Sequence, residues 1–133
     1  EGYYAQTVVN DVCDPVAAAM IITFREVLSA MKRFQMEPNK SIVIFGAGPV
    51  GLCFTRFAKL LGLAPVITID ITDEKTAEAE RLGADIVFNS TKVDVDSEIK
   101  KILPEGADFV VDAVGINAKH AARHTKQLSA ANF

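Results

Sequence analysis

The chain has 133 residues and a formal net charge of −3; 50% of its residues are hydrophobic and 23% charged. That length suits one domain rather than two, and the composition is that of a folded globular protein rather than a disordered one. The slightly acidic balance offers no basic surface for nucleic acid or an anionic membrane, and no apolar run is long enough to span a bilayer.

Gly2 to Asn10 is polar, aromatic and β-branched, and reads as an extended strand or arm. No signal peptide is legible, and a start at Glu1 without Met suggests a processed chain or a fragment. Asp14-Pro15 has the form of a helix start, with Asp as N-cap and Pro at the first helical position. Residues 1–14 are therefore read as an arm or linker and residues 15–133 as the domain. Val16, Met20, Ile21, Phe24, Val27, Leu28, Met31 and Phe34 follow at helical spacing and predict one long helix with one apolar stripe. Glu37-Pro38-Asn39-Lys40 ends it and turns the chain.

From Ser41 the pattern changes to short apolar strands alternating with helices. Ser41 to Phe45 reads as a buried strand, and Gly46-Ala47-Gly48-Pro49-Val50-Gly51 follows it directly. The next helix runs to about Leu61, with Val50, Phe54, Phe57, Ala58 and Leu61 as its expected core stripe and Gly62 as C-cap. Pro65 to Ile71 predicts a second strand. Thr72 can cap a helix that carries Asp73 and Glu74 at its positive end and stops at Gly83. Asp85 to Phe88 predicts a third strand, and Asp94 or Asp96 opens a short helix to Leu103-Pro104. Asp108 to Val114 predicts a fourth strand, closed by Gly115, and 118–128 reads as a last helix. Short connections and near-continuous apolar strands imply a parallel sheet covered on both faces.

The glycine run carries the chemistry. A strand, then G-x-G-x-x-G, then a helix is the dinucleotide-binding arrangement of a Rossmann-type doubly wound α/β fold. Gly46 permits the tight turn, Gly48 lets the backbone approach a pyrophosphate, and Gly51 lets helix and strand pack. The new helix's free N–H groups and dipole favour the phosphates. Asp70 closes the second strand 19 residues after Gly51, where such a site carries an acid for the ribose hydroxyls. A carboxylate there repels a 2′-phosphate and favours NAD over NADP. In the strand order 3-2-1-4-5-6 this chain supplies 3-2-1-4, so the sheet is expected to end after its fourth strand.

Other candidates carry less. Asp112 reads as a charge inside an apolar strand, more readily paired with a neighbour than catalytic. His120 and His124 stand at i and i+4, a spacing that can bind metal, but they lack a third ligand nearby and suit a solvated helix face. Cys13 and Cys53 form no CxxC pair or disulfide framework. They point to a reducing cytoplasm, with Cys53 as a small buried hydrophobe.

Asp14-Pro15, the GAGPVG run, Ile69-Asp70 to Lys75, Ala79-Glu80-Arg81-Leu82-Gly83-Ala84-Asp85 and Asp112-Ala113-Val114-Gly115 occur in one order and spacing. On these residues the chain resembles, from Asp14 to Gly115, the cofactor domain of the zinc-dependent medium-chain alcohol dehydrogenases. Within that family it resembles the branch with sorbitol and threonine dehydrogenases. The resemblance implies hydride transfer between NAD and an alcohol or polyol carbon polarised by zinc. It implies that Lys75 lies at the ribose end of the cofactor with Asp70, and that Val114 lines the crevice. The implied cofactor-binding set is Gly46, Gly48, Pro49, Val50, Gly51, Asp70, Ile71, Lys75, Val114 and Gly115. Asp14 falls where some members place an acidic or cysteine residue at zinc. The other zinc ligands of such enzymes come from a separate catalytic domain, so the chain reads as a cofactor-binding piece with no catalytic residue of its own. Residues 1–14 become the arm leading from that domain.

Two other classes share parts of the pattern. An NAD-sensing regulatory module has the glycine turn and the acid but no use for Asp14-Pro15. An S-adenosylmethionine-binding domain also ends its second strand in an acid, but its turn reads GxGxG, and Val50 stands in the way of that reading. Without strands five and six, the fourth strand becomes an apolar edge, which predicts a homo-oligomer unless the tail covers it.

Overall fold

A computed structural model describes residues 13–115; the expected N-terminal arm, the last helix and the pair His120 and His124 lie outside them. The described chain runs α1 (Pro15–Ala19), α2 (Ile21–Arg33), β1 (Ile42–Phe45), α3 (Pro49–Leu60), β2 (Val66–Asp70), α4 (Asp73–Arg81), β3 (Ile86–Asn89), α5 (Val95–Ile102) and β4 (Phe109–Asp112). The strands form one parallel sheet in the order β3-β2-β1-β4, as expected from the alternation of strand and helix.

Successive residues of β1 point to opposite faces, and each face has its own core. Ile42 and Ile44 join Val66, Cys53, Phe54 and Ala58 beneath α3, with Val27 and Met31 of α2 behind them. Val43 and Phe45 join Ile67, Ile69, Val95 and Ile99 beneath α5. A small third cluster of Ala47, Ala79 and Ala84 seats α4. Helices therefore cover both faces, and all four strands deliver their C-terminal ends to one edge of the domain.

Three expectations need correction. The leading helix is two helices: the Met20 N–H turns back to the Ala17 carbonyl at 3.1 Å, ending α1, and α2 starts afresh. Of its expected stripe only Val27 and Met31 are buried; Val16, Ile21, Leu28 and Phe34 face outward, and Phe24 meets Phe57 of α3 edge-on at 5.7 Å. The core face of α3 is also rotated from the expected stripe. Gly51, Cys53, Phe54, Thr55 and Ala58 are buried, whereas Val50 and Leu61 are exposed. Finally, Asp112 is exposed, because it ends the outermost described strand beyond the cover of a helix, and it accepts the Val114 N–H at 3.0 Å. Thr72 and Asp94 occupy the N-cap positions of α4 and α5 without a side-chain cap bond.

Candidate functional site

Each glycine of the turn has a distinct physical reason. Gly46 has φ +95°, a conformation that costs a residue with a Cβ. Its N–H donates to the Ile69 carbonyl at 2.7 Å, and a Cβ there would lie 3.0 Å from the Ala113 carbonyl oxygen. Gly51 begins the buried face of α3 so close to the turn after β1 that a Cβ would sit 1.8 Å from the Gly46 carbonyl oxygen. Gly48 differs: its φ is ordinary and a Cβ would meet nothing within 4 Å. The space above it is a bare approach to backbone.

That approach leads to the N-terminus of α3. Gly48 is the N-cap, Pro49 brings no N–H, and the first helical bond runs from the Leu52 N–H to the Gly48 carbonyl at 2.8 Å. The Val50 and Gly51 N–H groups thus have no intrahelical acceptor and present the positive end of a twelve-residue helix. Below the turn, the Thr55 and Thr68 hydroxyls lie 2.8 Å apart, both fully buried. Thr55 donates to the Gly51 carbonyl at 2.9 Å, clasping α3 to β2. That clasp was not read from the sequence, where two threonines 13 residues apart carry no signal.

Asp70 ends β2 beside the turn and is only 8% exposed. Its Oδ2 accepts the Ala47 N–H at 2.8 Å; its Oδ1 accepts the Ile71 N–H at 2.7 Å and, at 3.4 Å, the Thr72 N–H. It is part of the packed structure rather than a strand-end acid standing outside the core. A carboxylate has about four acceptor positions, so about one is left here for a ligand. Ile71, Val50 and Val114 are 65%, 44% and 41% exposed around this edge, and Lys75 and Gly115 are exposed as well.

One cluster at the same edge escaped the sequence reading. Asn89, the last residue of β3, is in register with Asp70. Its Nδ2 donates to Asp73 Oδ1 at 2.7 Å, and Lys92 Nζ meets Asp73 Oδ2 at 2.5 Å. The Lys92 hydrogen bond, and after it that of Asn89, holds the Asp73 carboxyl below the usual carboxylate range.

The profile of the zinc-binding dehydrogenases matches residues 49–127. The chain belongs to this family. It is 34% identical over 100 residues to an NAD-dependent alcohol dehydrogenase of Sulfurisphaera tokodaii, covering 74% of this chain and 28% of that protein. To D-xylulose reductase A of Aspergillus oryzae it is 33% identical over 103 residues, covering 74% of this chain and 29% of that one. Alcohol dehydrogenase TADH from Thermus sp. ATN1 superposes with a TM-score of 0.73 at 27% identity, covering 80% of this chain and 30% of that one. This zinc-binding dehydrogenase chain therefore spans less than a third of the length of these three relatives.

The described residues do not fit zinc. They contain no group of three His, Cys, Asp or Glu able to hold a metal. Asp14 is exposed, and its Oδ2 accepts the Ala17 N–H at 2.9 Å as the cap of α1.

Proposed function

We propose that residues 15–133 are the NAD(H)-binding domain of a zinc-dependent alcohol or polyol dehydrogenase, with residues 1–14 leading from its catalytic domain. The observation that carries this reading is the bare backbone at Gly48, opening onto the unpaired N–H groups of α3 beside Asp70. The pyrophosphate would sit on the Val50 and Gly51 N–H groups, with Gly46 and Pro49 shaping the turn. The adenosine ribose would give one hydroxyl to the open position of Asp70, and a second only by sharing an oxygen already bonded. Ile71 and Lys75 would border the ribose, and Val114 and Gly115 the crevice between β1 and β4, where the strand order reverses. The chemistry supplied by the cofactor when bound is hydride exchange with an alcohol carbon. Zinc and the substrate contacts are assigned to the catalytic domain.

Family membership favours this reading over an NAD-sensing module or an S-adenosylmethionine-binding domain. A reducing cytoplasm goes with it on cysteine usage. No nucleic-acid or membrane partner enters it, and self-association along β4 does. Among the described residues no helix is long and apolar enough to cross a membrane.

Calorimetric titration with NAD, NADP and S-adenosylmethionine tests it. NAD is expected to bind at least tenfold tighter than NADP, or about 1.4 kcal/mol, because Asp70 faces a 2′-phosphate with a like charge. S-adenosylmethionine is expected not to bind. Tighter binding of S-adenosylmethionine overturns the assignment of the crevice, and equal or tighter binding of NADP overturns the reading of Asp70 at the ribose, with Lys75 outweighing it.

A further inference from the structure

The loops that follow β2 and β3 meet at the ribose end of the crevice. Ser90 N–H donates to the Asp70 carbonyl at 3.0 Å, and the Thr91 N–H and hydroxyl both donate to Asn89 Oδ1. The Lys92 N–H then closes back on the Asn89 carbonyl at 3.0 Å. This folded loop lays the Lys92 ammonium on Asp73, three residues past Asp70, while Asn89 takes the other carboxylate oxygen. Lys75 and Lys92 are the two cations in the stretches 71–75 and 90–94, which hold these loops and the first residues of α4.

A dinucleotide site accepts a 2′-phosphate when a cation stands near the ribose and rejects it when an acid does. We propose that Asp73 is a specificity-determining residue: by holding Lys92 it removes the nearest loop cation from a 2′-phosphate, reinforcing Asp70 against NADP. The proposal rests on the dinucleotide reading above. Both partners are exposed, with side chains 66% and 61% accessible, so the pair is weak and a single substitution releases it. Releasing it acts twice in the same direction. It frees a positive charge and deletes a negative one on the loops that meet beside Asp70, and salt screens both effects.

The test is calorimetric titration of the 133-residue chain with NAD and with NADP, at low and high salt. It compares wild type, Asp73→Asn and the double variant Asp73→Asn/Lys92→Met. Asparagine at 73 retains an oxygen for Asn89, and circular dichroism checks that the surface change leaves the fold. Asp73→Asn is expected to move the ratio of the two affinities toward NADP by about five- to tenfold at low salt and by less at high salt. The double variant is expected to return most of that gain. An unmoved ratio in Asp73→Asn overturns the proposal while NAD binding by the wild type upholds the crevice. A double variant that keeps the whole gain also overturns it, assigning the phosphate contact to Lys75. A wild type that binds neither dinucleotide overturns the reading of the crevice and this proposal with it.

Discussion

An alanine at 51 would drive its Cβ into the Gly46 carbonyl at 1.8 Å, a contact that only movement of α3 or β1 backbone can relieve. Gly51→Ala is therefore expected to lose about 3 kcal/mol or more in urea unfolding, the upper range of overpacking effects. Gly48→Ala is its counterpart. With nothing within 4 Å and an ordinary φ, it is expected to leave the unfolding midpoint nearly unchanged, yet to weaken NAD binding by filling the approach to the helix N-terminus. A Gly48→Ala variant with undiminished NAD affinity would remove the pyrophosphate from that place. Asp70 joins the two kinds of effect. Asp70→Ala strips the buried Ala47 N–H of its acceptor, which costs about 1–3 kcal/mol of stability. On the proposed reading it would also remove a charge-assisted bond to the ribose, and NAD affinity is expected to fall by about tenfold or more in the same titration. The acid's place after the glycines was legible from spacing alone. Its burial was not, because the Ala47 N–H that covers it comes from a turn 23 residues away.

At the scale of elements, the ends of β1 and β4 away from the crevice are held by a clasp of side chain and backbone. Asp108 Oδ2 accepts the Ser41 N–H and hydroxyl, each at 2.8 Å, and the Asp108 N–H donates to the Ser41 hydroxyl oxygen at 2.9 Å. The Ser41 backbone bond, above all, keeps the Asp108 carboxyl below its ordinary value. A carboxyl depressed on folding adds stability that is complete above its unfolded pKa, about 3.9, and disappears as pH falls through the folded value. Asp108→Asn is therefore expected to lower the urea midpoint at neutral pH and to flatten its decline in acid; parallel pH profiles would show that the clasp contributes nothing. The strands, helices and their order were legible because each has a local signature: apolar runs of four or five residues between turn residues. The buried face of α3 was not. Large apolar residues were given the inside, but close approach to the sheet selects Gly51, Thr55 and Ala58, leaving Val50 and Leu61 at the ends to solvent. The break at Met20 had no cue either, since the apolar spacing continues across it.

For the whole molecule, assembly turns on the outer side of β4, which has no strand beside it among the described residues. The Phe109 and Ala113 N–H groups bond to the carbonyls of Ser41, just before β1, and of Phe45, so those of Val110 and Asp112 face away from β1. An apolar edge with outward N–H groups recruits another strand, and concentration-dependent self-association is expected in sedimentation. Val110→Pro removes one outward N–H without breaking a bond to β1 and is expected to weaken that association. An equally associated variant would place the contact elsewhere. The chain alone is also expected to bind NAD without zinc-dependent NADH formation from alcohols, because Asp14 cannot by itself supply the three ligands of a catalytic zinc.

The two free thiols make this chain its own reporter. Cys13 stands half-exposed just before α1, whereas Cys53 faces the core two residues after Gly51, and burial raises its thiol pKa. A thiol-reactive dye should therefore label Cys13 at once and Cys53 only in molecules whose α3 has lifted from the sheet. The slow phase becomes a clock for that lifting, running on the same helix whose first N–H groups would grip the cofactor. A ligand seated there should slow the clock in proportion to its occupancy, whereas one bound on α5, across the sheet from Cys53, should leave its rate almost untouched.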